Sequence, residues 1–339
     1  MLIYYGNTKM SKFKSLIVKE ENGKFIRIIE NRSIDDLPLG EVLINVKYSS
    51  LNFKDAMSAS GNKGITRQYP HTPGIDAAGV VIESADKKFL EGDEVLVTGF
   101  DLGMNTPGGY GQFIRVPAEW VIKLPKGISL KESMIYGTAG FTAALSLYNL
   151  ESAGLNVSVN GNILVTGSTG GVGSLSIAIL SKAGYNNIVA ETGKSGKEAF
   201  LKKIGATKVI DRESLNDKSG KALLPVRWAA VIDSVGGNIL STALKSTVYG
   251  GSVAACGLTQ SPILNTSVYP FILRGVKLLG SDSMHCDLII RNILWNKLAS
   301  EWKPNSLNQI VSECSLEELD EKIDLILNGN ITGRIVVKL

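Results

Sequence analysis

The stretch Val165-Thr-Gly-Ser-Thr-Gly-Gly-Val-Gly173 constrains this chain more than any other. It follows the apolar run Ile163-Leu-Val-Thr166, which reads as a strand, and it opens residues 171–183, which read as a helix. Strand, glycine-rich turn and helix in that order form the context a dinucleotide fingerprint requires. In the Gly-x-Gly-x-x-Gly register, Ser168 takes the first glycine place, and Gly170 and Gly173 take the other two. Gly170 would let the backbone approach a pyrophosphate, and Gly173 would let the helix pack close to the strand. The helix N-terminus would offer free N–H groups and a positive dipole end to phosphate. Glycines alone are equally compatible with a tight turn that binds nothing; the flanking elements favour a nucleotide.

The 339 residues suit about two domains. From residue 13 to about 130, short strand-like runs alternate with Gly/Pro punctuation, clearest at Phe13–Lys19, Val42–Tyr48, Ala78–Glu83 and Glu94–Thr98. That pattern predicts a mostly β domain. Residues 132–150 carry helical spacing, with Met134, Phe141, Ala144, Leu145 and Leu147 apolar. Strands then alternate with helices: a strand at Ile188–Ala190, a helix over 197–204, strands at Lys208–Asp211 and Ala229–Asp233, a helix over 238–247, and a strand at Gly251–Ala255. Such alternation predicts a parallel sheet covered by helices. Ser315-Leu-Glu-Glu318 matches a capping box, Leu316, Leu319, Ile323 and Ile326 share one helical face, and Arg334–Leu339 reads as a terminal strand.

Composition removes several function classes. With 36 Lys+Arg against 32 Asp+Glu the net charge is +4, and no run of five basic residues occurs. A nucleic-acid binder would show a clustered basic face. The longest apolar stretches are about ten residues, short of a bilayer span. The N-terminus lacks the basic start and apolar core of a signal peptide. Cys256, Cys286 and Cys314 form no Cys-x-x-Cys pair and no even disulfide framework, so a reducing, cytoplasmic compartment is expected. The only histidines are His71 and His285, and the adjacent His285-Cys286 has no third ligand nearby, so no metal site is expected. A Ser-His-Asp hydrolase is disfavoured by the lack of a Gly-x-Ser-x-Gly elbow.

The nucleotide is less sharply specified than the fold. The second strand of the alternating region leads into Glu191-Thr-Gly-Lys194. An acid about 20 positions past the glycines usually grips the ribose 2′-OH of NAD, and Glu191 stands near that place. Lys194, with Arg212 after the next strand, would clamp a 2′-phosphate, and Thr192 would hydrogen-bond it. A single lysine reads more simply as a solvated charge; the set of three points to NADPH. Asp233, in Ile-Asp-Ser-Val-Gly-Gly, either caps a strand or lies near the cofactor. Cys256 follows an apolar strand and reads as a core thiol.

The chain from about residue 13 resembles the medium-chain dehydrogenase/reductase superfamily. Within it, the chain is similar to the zinc-independent YhdH/YhfP group, of quinone oxidoreductase and acryloyl-CoA reductase type. Ser49-Ser-Leu-Asn-Phe-Lys-Asp55, Pro73-Gly-Ile-Asp-Ala-Ala-Gly79, Gly137-Thr-Ala-Gly-Phe-Thr-Ala143, Thr166–Gly173, Ala255-Cys-Gly-Leu258 and Tyr269-Pro-Phe-Ile-Leu-Arg-Gly275 carry the resemblance, in order along nearly the whole chain. It implies an α/β protein: a GroES-like, mostly β catalytic domain plus a Rossmann domain with a doubly wound parallel sheet. The expected boundaries are an N-terminal extension over 1–12, the catalytic domain over 13–133 and 285–339, and the NADP(H)-binding domain over 134–284. Zinc-dependent members carry a Cys ligand in the region matching Asn52–Asp55 and Gly-His-Glu in the region matching Gly74–Asp76. This chain has neither Cys nor His there. The implied chemistry is hydride transfer without metal, to an activated C=C or a quinone, whose conjugated carbonyl delocalises the incoming charge.

The resemblance also implies roles for residues. Asn52 and Phe53 would lie beside the nicotinamide, with Asp55 and Lys54 as candidates near the site or as a structural ion pair. Many relatives have Tyr where this chain has Phe53, so no tyrosine acid is assigned. Thr169, Gly170, Gly171 and Val172 would hold the pyrophosphate, and Thr192, Gly193, Lys194 and Arg212 the adenosine ribose phosphate. Leu258, Ile272 and Ser283 would line the nicotinamide half, with Gly329 at the far wall. Asp76 reads as structural, and Lys63, Arg67 and Lys88 are candidates for CoA phosphates. The expected activity is NADPH-dependent reduction of an α,β-unsaturated carbonyl, acryloyl-CoA first. An NADPH:quinone oxidoreductase and a catalytically silent NADPH-binding sensor are the alternatives. A homodimer is expected, with the segment near 245–290, which holds Leu278-Leu-Gly-Ser281, as its interface, and no nucleic-acid or membrane partner.

Overall fold

The structure is a computed structural model and describes residues 12–339. The expected N-terminal extension lies, apart from Lys12, outside the described residues. Packing divides the chain into two compact units. The first holds the residues up to Leu124 with Glu313–Gly329 and Val336–Leu339; the second holds Pro125–Ser312 and Asn330–Ile335.

The first unit is mostly β, as the strand-and-turn pattern predicts. It begins with a hairpin of β1 (Phe13–Glu21) and β2 (Lys24–Arg32). Then come β3 (Val42–Leu51), the short helix α1 (Phe53–Ala59), β4 (Asp76–Ser84), β5 (Glu94–Thr98), β6 (Phe113–Val116) and β7 (Ile122–Lys123). Alternate β-branched residues bury one face of this sheet: Val42, Ile44 and Val46 from β3 meet Val81, Val95, Val97 and Ile114, all at most 1% exposed. Gly79 sits where β3 and β4 come closest, and a Cβ there would stand 2.1 Å from the Asn45 carbonyl oxygen. This explains the last glycine of the Pro73–Gly79 motif.

The second unit is doubly wound. Its elements are α2 (Leu130–Ser152), β8 (Asn162–Val165), α3 (Gly171–Lys182), β9 (Ile188–Thr192), α4 (Glu198–Lys203), β10 (Lys208–Asp211), β11 (Trp228–Asp233), α5 (Gly237–Lys245), β12 (Thr247–Ala255), α6 (Tyr269–Arg274), β13 (Lys277–Gly280) and α7 (Leu288–Ala299). The strands pair parallel in the order β10-β9-β8-β11-β12-β13. Val189, Leu164, Val231 and Val253 stand opposite one another across four of these strands and are at most 2% exposed. The order reverses beside β8, so the crevice beyond the carboxyl ends of β8 and β11 is where such sheets take ligands.

Three expectations shift. The helix expected over 132–150 is α2, bent at Gly137, whose φ of 50° and ψ of −156° are not helical. The helix expected over 238–247 gives way to β12 at Thr247. Packing also places 125–133 and 285–312 with the second unit, against the expected boundaries at 133/134 and 284/285. The reason is aromatic packing of α7 on α2: the Trp295 ring stacks on Phe141 at 6.2 Å and meets Tyr136 edge-on at 6.3 Å. Beyond α7 lie β14 (Val311–Ser315), α8 (Leu319–Leu327) and β15 (Arg334–Lys338). The predicted capping box forms: Glu318 accepts from Ser315 N–H at 2.8 Å, and Ser315 Oγ accepts from Glu318 N–H at 3.3 Å.

Candidate functional site

The glycine turn after β8 is built by backbone constraint. Gly167 takes a φ of +60°, and a Cβ on Gly173 would lie 2.3 Å from the Gly167 carbonyl oxygen, so only glycine permits this approach of α3 to the strand. Gly170 caps α3 without a side-chain hydrogen bond, leaving Gly171 and Val172 to open the helix. The first N–H groups of a helix are unpaired by the helix itself. Together with the positive dipole end they form an anion-receptive surface.

Around this turn the polar residues converge. Thr169 Oγ1 lies 3.3 Å from Thr192 Oγ1, and Thr192 Oγ1 accepts from the Lys194 backbone N–H at 3.1 Å. The Arg212 guanidinium lies over Gly193, where a Cβ would come within 3.4 Å of it. Lys194 Nζ donates to the carbonyl of Ile331. Partial burial, then the Lys197 and Arg212 charges, hold the Lys194 ammonium below its usual range. An anion beside Lys194 would relieve that disfavour.

Glu191 plays another part than a ribose ligand. Its carboxylate is wholly buried, accepting from Gly167 N–H at 2.7 Å through one oxygen and from Arg212 Nε at 2.8 Å through the other. It braces the turn and aims Arg212, whose side chain remains 42% exposed. Sequence reasoning missed Arg334. It is 3% exposed, donates from Nε to the Ile135 carbonyl at 3.0 Å, and brings Nη1 within 3.0 Å of where a Gly171 Cβ would stand. As the head of a terminal strand, Arg334 carried no sequence signal.

Other expected residues fall at the carboxyl ends of the strands. Leu258 follows β12 and Ile272 lies on α6, with 63% and 67% exposure. Ser283 follows β13 and accepts from Thr142 Oγ1 at 2.8 Å, which gives a purpose to the polar residues of the Gly137–Ala143 motif. Asp233 is a cap: it accepts from Thr166 Oγ1 at 2.7 Å and Gly236 N–H at 2.8 Å, and burial pushes its carboxyl up to about 6. Burial pushes the Cys256 thiol up to about 12, so it stays a neutral thiol.

The first unit holds Asn52, Phe53, Asp55 and Gly329. Phe53 opens α1 and is 43% exposed, while Asn52 beneath it is 9% exposed. Asp55 does not take the alternative expected for it, an ion pair with Lys54. Fully buried, it accepts from the backbone N–H groups of Asn52 and Ile75, each at 2.8 Å. Burial, and then Asp76, push its carboxyl up to about 7. Asp76 is equally buried and accepts from Ser50 Oγ at 2.5 Å and Asn52 Nδ2 at 2.8 Å. Asn52 and Asp76 are thus joined by a direct amide–carboxyl hydrogen bond. Gly329, with a φ of +71°, ends α8 with no heavy atom near its Cβ position. Lys63 is taken up by Glu20 at 2.6 Å and by the face of Tyr69, which leaves less of its charge for a phosphate.

Comparison with known proteins agrees with this two-part architecture. Residues 38–126 match the alcohol dehydrogenase GroES-like domain, and residues 171–297 match the zinc-binding dehydrogenase family. "Putative quinone oxidoreductase YhfP" of Bacillus subtilis is 45% identical over 97% of this chain and 100% of that protein. Acrylyl-CoA reductase AcuI of Ruegeria pomeroyi is 40% identical over 96% and 98%. The crystal structure of E. coli K-12 YhdH with bound NADPH superposes with a TM-score of 0.92 at 40% identity, covering 96% of this chain and 99% of that one. With these motifs, this sheet order and relatives matched along their full length, the chain belongs to the medium-chain dehydrogenase/reductase superfamily, in its zinc-independent YhdH/YhfP group.

Proposed function

We propose that this protein is an NADPH-dependent reductase of activated C=C bonds, with acryloyl-CoA as its first candidate substrate. The observation that carries the cofactor reading is the Thr192–Lys194–Arg212 cluster, with Glu191 turned away from the ribose and spent on aiming Arg212. NADPH-bound YhdH and acrylyl-CoA reductase AcuI, both about 40% identical, support it. When bound, the nicotinamide supplies a hydride. The chain's own residues do the rest. The α3 N-terminus at Thr169–Val172 receives the pyrophosphate. Lys194, Arg212 and Thr192 receive the 2′-phosphate, and Leu258, Ile272, Ser283 and Gly329 border the nicotinamide half. Asn52 and Asp55 hold the first turn of α1, and Phe53 offers an apolar ring without a phenolic proton. A conjugated thioester carbonyl spreads the charge that arrives at the β-carbon, and solvent supplies the α-proton. A homodimer in a reducing cytoplasm belongs to the same reading, supported by three free cysteines and by the partly exposed edge strand β13.

The test is NADPH and NADH oxidation, followed by absorbance, with acryloyl-CoA and with a benzoquinone. Turnover of NADPH with acryloyl-CoA is expected. Turnover with quinone alone would establish the second reading, which the name of YhfP favours. Tight NADPH binding with neither substrate reduced would indicate a sensor, and a preference for NADH would overturn the phosphate clamp.

A further inference from the structure

Lys194 is held at both ends. Its backbone N–H donates to Thr192 Oγ1 at 3.1 Å, and its ammonium donates to the Ile331 carbonyl. Thr192 Oγ1 lies 3.3 Å from Thr169 Oγ1, on the glycine turn. Two residues beyond Ile331, the Gly333 N–H donates to the Thr169 carbonyl at 2.9 Å. These contacts close a ring: from Thr169 through Thr192 and Lys194 to Ile331, and along residues 331–333 back to Thr169. All of its members lie within the second unit. The ring joins the turn proposed for the pyrophosphate to the cluster proposed for the 2′-phosphate.

Gly333 is the fixed point of this ring. It is buried and takes a φ of +73°. A Cβ there would stand 2.0 Å from the Ile310 carbonyl oxygen, which already accepts from the Arg334 N–H at 2.8 Å. Glycine is thus required both by dihedral and by space. A lysine ammonium rides on a long flexible stem, and fixing it before a ligand arrives removes an ordering cost from binding. An ammonium has three N–H donors, so the Ile331 carbonyl engages one and leaves the others for an anion.

We propose that residues 331–333 set the preference of this site for a nucleotide bearing a 2′-phosphate: the Ile331 carbonyl holds the Lys194 ammonium ready, and Gly333 is the positioning residue that fixes that carbonyl. This rests on the NADPH reading above and deepens it. The contribution of the loop belongs to the one phosphate that NADPH has and NADH lacks. The ammonium keeps Ile331 while it takes the phosphate, so a bound 2′-phosphate also steadies the loop.

The experiment has two arms. In the first, Kd values for NADPH and NADH are measured by fluorescence titration for wild type, Gly333→Ala, Lys194→Ala and the double variant. Gly333→Ala is expected to reduce the preference for NADPH over NADH at least about fivefold, whereas a purely structural glycine would weaken both nucleotides alike. With Lys194→Ala already in place, the same substitution is expected to leave the remaining preference unchanged. The second arm serves if Gly333→Ala does not fold. It follows hydrogen exchange at the backbone amides of residues 331–333 in wild type and Lys194→Ala, free and with 2′,5′-ADP or 5′-AMP. Exchange is expected to be faster in free Lys194→Ala than in free wild type. In wild type alone, 2′,5′-ADP is expected to slow it more than 5′-AMP does. If 2′,5′-ADP binds wild type no more tightly than 5′-AMP, the NADPH reading itself has failed; unequal exchange in the two free proteins then still upholds the tie between Lys194 and the loop. Equal exchange in the two free proteins, faster exchange on binding 2′,5′-ADP, or an equal loss of both nucleotides in Gly333→Ala would overturn the inference.

Discussion

Single residues divide into those that shape the turn and those that meet the ligand. Gly173 is of the first kind. Its missing Cβ would stand 2.3 Å from backbone, which cannot yield as a flexible side chain would. Gly173→Ala is therefore expected to cost about 1–3 kcal/mol, read as a lower Tm, with weaker NADPH binding as a consequence. Lys194 and Arg212 are of the second kind. Burial, and then the Lys197 and Arg212 charges, disfavour the Lys194 ammonium, so an arriving phosphate relieves it. Lys194→Ala or Arg212→Ala is expected to raise the Kd for NADPH about 10- to 100-fold and to leave NADH binding within about twofold; fluorescence titration with both nucleotides checks this. Glu191 shows how a correct position can carry a different role. It stands where an NAD-binding acid would, but the amide of Gly167 and the guanidinium of Arg212 fully engage its oxygens.

Elements take their limits from caps and breaks as much as from apolar spacing. Asp287 caps α7, its Oδ1 accepting from Ile289 N–H at 2.8 Å and Ile290 N–H at 3.4 Å. Asp287→Ala is expected to destabilise the protein by about 1 kcal/mol, measurable by denaturant unfolding. Helix α7 also carries Arg291, fully buried, which donates to the Ser283 carbonyl at 2.7 Å and to that of Met284 at 3.2 Å. A weakened start to α7 should thus loosen the segment around Ser283. Helix α2 shows why spacing alone misleads. Its apolar residues keep helical order on both sides of Gly137, while the backbone there turns through a conformation only glycine adopts readily. The hairpin of β1 and β2 was half legible: β1 carries the buried run Ser15–Val18, whereas β2 has no fully buried residue to mark it.

For the whole molecule, the buried acids make stability depend on pH. The folded values of Asp55, about 7, and Asp233, about 6, lie above the ordinary carboxyl value of 3.8, so the folded state binds more protons than the unfolded state between them. Stability from these groups is fully present below about 3.8 and is lost as pH rises to about 7. His71 works the other way, because burial lowers its pKa and favours folding as pH rises toward 6.5. A comparison that isolates Asp55 is therefore the sharper one. Relative to Asp55→Asn, wild-type Tm is expected to fall as pH rises from about 4 to about 7, and scanning fluorimetry at matched ionic strength checks it. Local order in the sequence decided much of this protein: the alternation of strands and helices, the Thr166–Gly173 turn, the capping box at Ser315 and the spacing of Lys194 and Arg212 each rest on residues close in the chain, where periodicity and backbone sterics act directly. Tertiary structure decided what depends on distant partners. It brought Asn52, Asp55 and Asp76 into one buried cluster, carried Arg334 to the start of α3, turned Glu191 into a brace, and packed α7 on α2. Burial and long-range hydrogen bonding set those roles, and neither leaves a period in the sequence.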